Sequence, residues 1–345
     1  MGGSASAPSV RERLVAHWYR PHLTLLTASL LPLSWLFGTV TALRRALYRA
    51  GILPRVRLTV PVIVIGNIAA GGTGKTPLVA WLVERLGMAG RRPGVISRGY
   101  GGSAVQPTAV RTGDDPQVVG DEPLLVARGG VPVWIGRDRA ATARSLLDAH
   151  PEVDVLVSDD GLQHYRLRRN IEIVVVDADR GFGNRRLLPA GPLREPVSRV
   201  SSADAVVLNG AASPGASTGE VPRFSMLLAG EVFRSLSDPT KTARAAFFAD
   251  KRVQAIAGIG NPARFFASLR ALGLTPECVA FPDHHRYRAA DLVFPEADCI
   301  VMTDKDAIKC ATLSDARMWT LPVTAEVEPG LIERILEKLN GRQAA

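Results

Sequence analysis

From residue 58 onward, short apolar runs alternate with helical stretches at a spacing of 20 to 40 residues. This alternation is typical of a parallel sheet that is covered by helices. The apolar runs predict buried strands at residues 61–65, 93–97, 131–135, 153–157, 171–176 and 203–208. Helices are predicted between them at 75–88, 121–128 and 138–150. The pattern therefore indicates an α/β fold with a parallel sheet and flanking helices.

A second, smaller α/β unit is predicted toward the carboxyl terminus. Its strands are expected near residues 254–259, 279–281 and 299–303, and a helix at 329–340 closes the chain. Residues 210–219 are rich in Ala, Ser, Gly and Pro, which favours a linker or exposed loop. The predicted organisation is a helical segment at 1–50, a main domain at 51–209, and a second domain with its linker at 210–345.

Residues 23–43 form an uncharged, largely apolar stretch with arginines at both ends. A helix of about 20 apolar residues spans about 30 Å of hydrocarbon, and basic and aromatic flanks suit a bilayer interface. Six Ser or Thr residues, Pro32 and Gly38 dilute the pattern, so a kinked helix lying in the interface competes with a full span. A buried helix pair and a cleaved signal peptide are further alternatives. We expect a membrane-associated N-terminal helix.

Charge is distributed unevenly along the 345 residues, whose net charge is +9. The first 60 residues hold eight arginines and one acidic residue, Glu12, so most of the excess lies beside the apolar stretch. This placement argues against nucleic acid as the partner. The three cysteines, Cys278, Cys299 and Cys310, form no CxxC pair, which excludes a disulfide framework or zinc site and suits a reducing compartment.

A glycine-rich loop follows the first apolar strand and opens a helix, which is the order that a P-loop requires. Its residues are Gly71, Gly72, Thr73, Gly74, Lys75 and Thr76. The glycines let backbone N–H groups close around phosphate oxygens, Lys75 reaches the β- and γ-phosphates, and Thr76 is a ligand for Mg²⁺. Ala69 stands where the strict pattern has glycine. The loop predicts ATP and Mg²⁺ as cofactors.

An acidic pair follows the apolar run at 153–157. A P-loop needs a carboxylate at the end of a nearby strand to hold its metal ion, and Asp159 and Asp160 are placed to supply it. The alternative is that the two residues merely cap the next turn. We predict a metal site formed by Thr76, Asp159 and Asp160.

Several blocks of this sequence resemble the tetraacyldisaccharide 4′-kinases of lipid A biosynthesis. They are Gly66-Asn67, Gly-Gly-Thr-Gly-Lys-Thr-Pro at 71–77, Ser-Arg-Gly-Tyr-Gly-Gly at 97–102, Gly-Asp-Glu-Pro at 120–123, Asp-Asp-Gly-Leu-Gln-His at 159–164, Leu-Pro-Ala-Gly-Pro-Leu-Arg-Glu at 188–195, Asp283-His284, and Thr-Asp-Lys-Asp at 303–306 with Lys309. The blocks follow the family's order over about residues 20 to 310. The resemblance implies two α/β/α domains with the site between them.

The resemblance implies an enzyme that transfers the γ-phosphate of ATP to the 4′-hydroxyl of a tetraacyldisaccharide 1-phosphate. It also implies a location on the cytoplasmic face of the bacterial inner membrane. The expected partners are the glycolipid substrate and the membrane surface, without nucleic acid, and a monomer is expected. Partition- and maturation-type P-loop ATPases are the alternative, but they carry lysine where this chain has Ala70. A nucleotide-binding membrane adaptor without enzymatic activity is a third hypothesis.

Within that resemblance, Asp121 is the candidate base for the sugar hydroxyl, and His284 is its expected partner in preference to His285. The alternative for Asp121 is helix capping. Arg139 is a catalytic candidate that would contact phosphate, since a guanidinium fork matches phosphate oxygens. The candidate substrate residues are Asn67, Arg98, Tyr100, Gln163, Arg194 and Glu195. The stretch at 97–102 also fits a plain strand exit, and Lys305 is expected to form structural ion pairs without a catalytic role.

Overall fold

The computed structural model describes residues 10–20, 22–210 and 220–341. Apart from Gly210, the predicted linker at 210–219 lies outside the described residues. In chain order the helices are α1 (Val10–Trp18), α2 (Leu25–Ser29), α3 (Leu31–Arg49), α4 (Lys75–Met88), α5 (Pro116–Val119), α6 (Asp121–Ala127), α7 (Arg139–Ala149), α8 (Pro262–Ala271), α9 (Asp304–Cys310) and α10 (Gly330–Asn340).

The strands alternate with these helices, as the apolar runs predict. They are β1 (Val62–Gly66), β2 (Pro93–Ser97), β3 (Thr108–Ala109), β4 (Val133–Ile135), β5 (Val155–Asp159), β6 (Ile171–Asp177), β7 (Ala205–Asn209), β8 (Arg223–Ala229), β9 (Phe233–Ser235), β10 (Thr242–Ala243), β11 (Val253–Ala257), β12 (Glu277–Ala280), β13 (Cys299–Thr303), β14 (Met318–Leu321) and β15 (Thr324–Val327). The predicted bounds of α4, β2 and β13 coincide with the observed ones, and β5 and β7 each begin two residues later than predicted.

The main sheet of the described chain has nine strands in the order β15-β8-β7-β6-β1-β5-β2-β4-β3. The strands from β8 to β4 in that order are mutually parallel, and β15 and β3 pair antiparallel at the two edges. Strands β1, β2, β5 and β7 are buried at every position, because helices or loops cover both faces. The prediction of an α/β fold with a large parallel sheet is therefore confirmed.

Two hydrophobic layers enclose this sheet. On one face, α4 contributes Leu78 and Leu82, and α10 contributes Leu331 and Ile335. On the other face, Leu146 of α7 packs with loop residues that follow β5 and β6. Strand β1 lies in the middle of the sheet and is buried on both faces. The glycine-rich loop that follows β1 therefore begins at a rigid part of the fold.

The second sheet has six strands in the described chain, ordered β10-β9-β14-β13-β11-β12. Its four strands β12, β11, β13 and β14 are parallel, and β9 and β10 extend it in antiparallel pairing. Helices α8 and α9 belong to this unit, with Phe265 and Leu269 of α8 in one of its hydrophobic layers. These strands and helices form a second α/β unit.

The chain leaves the main sheet, builds the second one and then returns. Strand β8 lies before the second sheet and β15 after it, yet the two pair with each other and β8 pairs with β7. Both strands and α10 lie within the predicted 210–345 unit and pack on the main sheet. The two connections, at 230–232 and 322–323, run side by side, since a β-carbon at Gly230 would lie 2.3 Å from the carbonyl oxygen of Pro322.

Helix α3 rests on the main domain by one face only. The hydroxyl of Ser34 donates to the carbonyl of Leu187 at 2.8 Å, and Gly38 lies against the same leucine. The opposite face carries Leu33, Leu36, Val40 and Leu43, each between 54% and 61% exposed. Within residues 10–20, 22–210 and 220–341, no helix combines the length and hydropathy that a membrane crossing requires.

Candidate active site

The glycine-rich loop joins the buried strand β1 to α4, and side chains from elsewhere hold its carbonyl groups. The amide of Asn209 donates to the carbonyl of Thr73 at 3.0 Å, and that of Asn67 donates to the carbonyl of Gly71 at 3.3 Å. Gly71 and Gly74 have φ angles of 108° and 85°, which favour glycine. Both bonds use carbonyl oxygens, so they leave the loop N–H groups to face an anion at the start of α4.

Three charged side chains meet beside this loop. The ammonium of Lys75 lies 3.6 Å from Asp160 Oδ1, and Nη1 of Arg194 lies 3.0 Å from Asp160 Oδ2. Burial acts to raise the pKa of Asp160, but the charges of Lys75 and Arg194 outweigh it and lower this pKa to about 2. The carboxylate is therefore ionised and holds both cations at the phosphate side of the loop.

Asp159 ends β5 next to the end of β1, where it pairs in register with Ile65. Its side chain is buried, and its Oδ1 has no hydrogen-bond partner among the described residues. Burial raises the pKa of Asp159, and the nearby charge of Glu122 adds to the effect. An unpartnered buried carboxylate oxygen is a position that a cation would stabilise.

The two aspartates and half-buried Thr76 fit a nucleotide-bound Mg²⁺. This ion is usually held by one or two carboxylates together with phosphate oxygens and water, rather than by a cage of protein ligands. Among the described residues, no group of three or more His, Cys, Asp or Glu side chains could hold a metal ion by itself. The donor set suits a metal that arrives with its nucleotide.

Arg139 lies beneath the site rather than facing it. The side chain is only 2% exposed, and its guanidinium donates to the carbonyls of Gly136 at 2.7 Å and Asp159 at 3.3 Å. Burial lowers the pKa of Arg139 to about 10, so it stays charged at neutral pH. In this structure Arg139 supports the backbone at the end of β5, and its direct contact with phosphate stays a prediction.

Asp121, the first residue of α6, meets His284 across the boundary between the two units. Their Oδ2 and Nδ1 atoms are 3.2 Å apart, and the ring of Tyr100 lies 4.7 Å from that of His284. Burial acts to raise the pKa of Asp121, but the hydrogen bond with His284 and the charge of Lys305 outweigh it, so the pKa is lowered. An ionised carboxylate can only accept, which assigns the proton to Nδ1 of His284.

Helix capping, the alternative role of Asp121, accounts for only a small part of the contacts that this side chain makes. Its Oδ1 accepts from the N–H of Glu122 at 3.0 Å, whereas Gly120 occupies the capping position of α6. The other histidine, His285, turns away from the site and lies 3.0 Å from Asp291. Of the two neighbouring histidines, His284 is the one that contacts Asp121.

Lys305 is a site residue to which the sequence analysis gave no functional role. Its ammonium lies 3.0 Å from Glu122, 3.4 Å from Asp283 and 3.4 Å from Nε2 of His284. Burial acts to lower the pKa of Lys305, but the surrounding carboxylates outweigh it and raise this pKa above its ordinary value. An ammonium has no lone pair, so Nε2 of His284 accepts the hydrogen bond. This fixes the Nδ1–H tautomer of His284.

The two clusters come together where the main sheet touches the second unit. A β-carbon at Gly260 would lie 2.4 Å from the nitrogen of Gly72, so the backbones are in direct contact. Arg180 donates to the carbonyl of Gly260 at 2.7 Å. Arg264 of α8 donates at 2.7 Å to Asp177, the buried last residue of β6, which the sequence analysis did not select.

The predicted substrate residues lie in three places. The amide of Gln163 donates to the carbonyl of Asn67 at 3.3 Å and to the buried carboxylate of Glu195 at 2.9 Å, so these three form one network behind the loop. Arg98 and Tyr100 are exposed at the mouth of the site. Arg194 lies beside the loop through its contact with Asp160.

Comparisons with known proteins identify a family and relatives that this chain is similar to. A family model described as tetraacyldisaccharide-1-P 4′-kinase matches residues 26–340. The tetraacyldisaccharide 4′-kinase of Azoarcus sp. (strain BH72) is 56% identical over 324 residues, covering 92% of this chain and 93% of its own. That of Dechloromonas aromatica (strain RCB) is 52% identical over 318 residues, again covering 92% and 93%.

A solved structure is also similar to this chain. It is a crystal structure of LpxK from Aquifex aeolicus in complex with ATP, with a TM-score of 0.75 and 29% sequence identity. The match covers 91% of this chain and 100% of that one.

A pair of alanine variants tests how tightly the loop is held. Gly74 and Gly90 both have left-handed φ angles, 85° and 78°, but a β-carbon at Gly74 would lie 2.3 Å from Nδ2 of Asn209, whereas nothing lies within 4 Å at Gly90. We expect Gly90→Ala to lower the free energy of unfolding by about 1 kcal/mol through backbone strain alone. Gly74→Ala should lose about 1 to 3 kcal/mol more through the clash.

Urea unfolding measures both losses. The double variant Gly74→Ala/Asn209→Ala removes the obstructing amide. Its loss of unfolding free energy should be smaller than the sum of the losses of Gly74→Ala and Asn209→Ala measured singly. Equal destabilisation by Gly74→Ala and Gly90→Ala would show that Asn209 does not constrain the loop.

Proposed function

The chain belongs to the tetraacyldisaccharide-1-P 4′-kinase family, and we propose that it carries out this family's reaction where its two sheets meet. The protein is a kinase that transfers the γ-phosphate of ATP to the 4′-hydroxyl of a tetraacyldisaccharide 1-phosphate. One observation supports the assignment of the site: Gly72 of the glycine-rich loop touches Gly260 of the second unit, the unit that also supplies His284 to Asp121. ATP occupies the loop side and the acceptor sugar the Asp121 side.

On the nucleotide side, catalysis rests on charge. Phosphoryl transfer passes through a transition state whose charge is spread over the transferred oxygens, so fixed cations accelerate it. Lys75 and Arg194 supply two cations that Asp160 already holds in place. Arg139 keeps the end of β5 in position through the carbonyl of Asp159.

Mg²⁺ would be held by Asp159, Asp160 and Thr76 together with phosphate oxygens. When bound, it neutralises charge on the β- and γ-phosphates and aligns them for attack. The unpartnered Oδ1 of Asp159 supports this assignment. Because the pKa of Asp159 is raised and a ligand must be deprotonated, Mg²⁺ affinity should fall as the pH is lowered.

On the acceptor side, Asp121 receives the hydrogen bond of the attacking hydroxyl. Its lowered pKa makes it a reliable acceptor but a weak base, which suits a loose transition state in which little proton transfer accompanies the attack. His284 holds one oxygen of Asp121 through Nδ1–H, and Lys305 holds His284. The two residues therefore orient the carboxylate toward the cleft.

We also propose that α3 attaches the enzyme to the cytoplasmic surface of the inner membrane, where ATP is available. One stripe of α3 consists of the exposed apolar side chains Leu33, Leu36, Val40 and Leu43, and arginines 44, 45 and 49 follow it. Apolar side chains enter the acyl boundary while arginines bind anionic headgroups. Both catalytic clusters come from a single chain, which supports a monomer as the active unit.

Removal of the loop lysine tests the nucleotide assignment. Lys75→Ala should lower kcat by at least about 10³-fold, because the ammonium stabilises charge that develops on the phosphates. The assay follows labelled γ-phosphate from ATP onto a lipid A disaccharide 1-phosphate in detergent with Mg²⁺. Lys241→Ala, on an exposed loop, is the matched control and should keep full activity. Near-normal turnover by a folded Lys75→Ala protein would overturn the P-loop assignment.

A double-mutant cycle tests the acceptor side. Asp121→Ala and His284→Ala should each lower kcat by about 10²-fold or more, and the double variant should be far less than multiplicatively worse, because the pair acts as a unit. The KM for ATP should change little. His285→Ala is the control, since His285 binds Asp291 instead. Multiplicative losses would show that the two residues act separately.

Substitution of the exposed face of α3 tests membrane attachment. Trp35→Gln/Leu36→Gln should weaken binding to phosphatidylethanolamine–phosphatidylglycerol vesicles by at least about 10-fold, because each apolar side chain contributes about 1.5 to 3 kcal/mol when buried. The KM for lipid should rise while the KM for ATP stays constant.

The control replaces two apolar side chains of similar exposure elsewhere, Met88→Gln/Val293→Gln. Vesicle cosedimentation measures the binding. If both double variants bind vesicles as well as the wild type does, the face of α3 is not the membrane contact.

A further inference from the structure

His284 has a backbone conformation that depends on support from its surroundings. Its φ angle is 61°, in the left-handed region, which histidine adopts more often than most residues but still at a cost in strain. The residue lies in the loop that follows β12. Its N–H donates to the carbonyl of Gly258 at 3.3 Å, in the loop that follows β11. The position of Gly258 therefore helps to determine the position of His284.

The backbone of Gly258 is held at its N–H and at its carbonyl by one ion pair of α9. The N–H donates to Oδ2 of Asp306 at 3.0 Å, and the carbonyl accepts from the ammonium of Lys309 at 3.2 Å. The same ammonium lies 2.6 Å from Oδ1 of Asp306. The two side chains are three residues apart on the helix, so they lie on the same face of α9. The carbonyl of Gly258 thus accepts two hydrogen bonds, one from Lys309 and one from the N–H of His284.

This ion pair lies deep in the second unit. Asp306 is fully buried and also accepts from the hydroxyl of Thr303 at 2.7 Å. The side chain of Lys309 is 9% exposed, and its ammonium lies 5.3 Å from the centre of the Tyr287 ring. A β-carbon at Gly258 would lie 2.9 Å from the hydroxyl of Tyr287, so these groups pack closely on its backbone. They form a closely packed base for the loop that follows β12.

The use of charged residues at this place needs a reason beyond stability. A buried ion pair contributes little net stability compared with apolar residues of similar volume, because both charges lose their hydration. Apolar residues, however, could neither accept from the N–H of Gly258 nor donate to its carbonyl. The Asp306–Lys309 pair supplies both functions and thereby fixes one backbone segment.

Helix α9 consequently acts on His284 in two ways. Lys305 donates to Nε2 of the ring at 3.4 Å. Lys309 reaches the backbone of the same residue through the carbonyl of Gly258. The ring extends from that backbone to meet Asp121, with 3.2 Å between Nδ1 and Oδ2. A shift of the backbone would therefore move Nδ1 away from the carboxylate.

We propose that Asp306 and Lys309 are positioning residues for phosphoryl transfer, which hold His284 against Asp121 through the backbone of Gly258. The inference rests on the proposed function, in which Asp121 receives the hydrogen bond of the attacking hydroxyl. Asp306 and Lys309 act from behind the loop, so their effect reaches the reaction through His284.

A double-mutant cycle between Lys309 and His284 tests this role in the kinase assay. Lys309→Met removes the ammonium and keeps the apolar part of the side chain. It should lower kcat by about 10-fold, because His284 remains but is no longer fixed, and a small misplacement in an active site has effects of this size. The KM for ATP should stay within about 2-fold of the wild type. In the His284→Ala background, Lys309→Met should lower kcat by less than about 2-fold.

Nuclear magnetic resonance of the histidine rings supplies a readout that does not depend on activity. The protein has six histidines, so ¹⁵N-labelled histidine gives few ring signals, and those missing from His284→Ala belong to His284. In the wild type these signals should show a single tautomer, protonated at Nδ1. In Lys309→Met they should show a mixture of tautomers, whereas the signals of His150, at the end of α7, should stay unchanged.

Two further variants separate positioning from a general loss of stability. Lys309→Arg keeps a cation and N–H donors at this place and should lose less than about 3-fold in kcat. Asp306→Asn keeps the shape of the side chain without its charge. It should change the ring signals of His284 and lower kcat, which repeats the test if Lys309→Met folds poorly. Urea unfolding measures the stability of each variant.

The matched control is Lys338→Met, which removes a lysine from another ion pair. Lys338 of α10 contacts Asp204, which lies just before β7 at the opposite end of the main sheet from the glycine-rich loop. This variant should keep the kcat of the wild type and the ring signals of His284.

Other outcomes overturn the proposal in distinguishable ways. Unchanged kcat and unchanged ring signals in a folded Lys309→Met protein would show that His284 does not need the ion pair. Equal losses of kcat in the wild-type and His284→Ala backgrounds would show that Lys309 acts through its charge or through stability instead. A folded wild type that phosphorylates no lipid would overturn the kinase assignment, and the ring signals of the variants would still decide whether the pair positions His284.

Discussion

The active site depends on a backbone contact that leaves no room for side chains. Gly72 in the phosphate-binding loop and Gly260 in the second unit approach so closely that a β-carbon on Gly260 would collide with the Gly72 nitrogen. Two neighbouring hydrogen bonds also cross the boundary between the two units. Arg180 donates to the carbonyl of Gly260, and Arg264 donates to Asp177. In the proposed reaction, this close boundary is what lets the glycine-rich loop and the carboxylate of Asp121 act on the same substrates.

Charge within the site is balanced by residues that are distant in sequence. Asp160 stands between Lys75 and Arg194, and Lys305 stands among carboxylates contributed by α6 and by the loop before His284. Partners from other segments outweigh the effect of burial on the pKa of Asp160 and of Lys305, so both groups stay charged inside the folded site. Oδ1 of Asp159 lacks such a partner among the described residues, and this is the position at which we propose that Mg²⁺ binds.

The local parts of the fold could be predicted from the sequence, and the long-range parts could not. The apolar run before the glycine-rich loop determines β1 and α4, and the acidic pair identifies the end of β5, because each signal is contained in about 20 residues. The pairing of β8 with β15 joins residues about 100 positions apart, and no periodic pattern of apolar residues in the sequence indicates it. The burial of Arg139 and the contacts of Lys305 with Glu122 likewise depend on packing between units, so sequence patterns gave no sign of either.

The return of the chain to the main sheet has a mechanical consequence. The second sheet is attached through two short connections that lie side by side, one beginning at Gly230 and the other at Pro322. Two adjacent tethers act as a hinge with a single axis, since twisting or sliding would pull one tether against the other. Rotation about that axis would separate Gly72 from Gly260 and leave the strand pairing of both sheets intact. Substrate entry and product release would then depend on a single rotation. The hydrogen bonds of Arg180 and Arg264 across the boundary would hold the closed position.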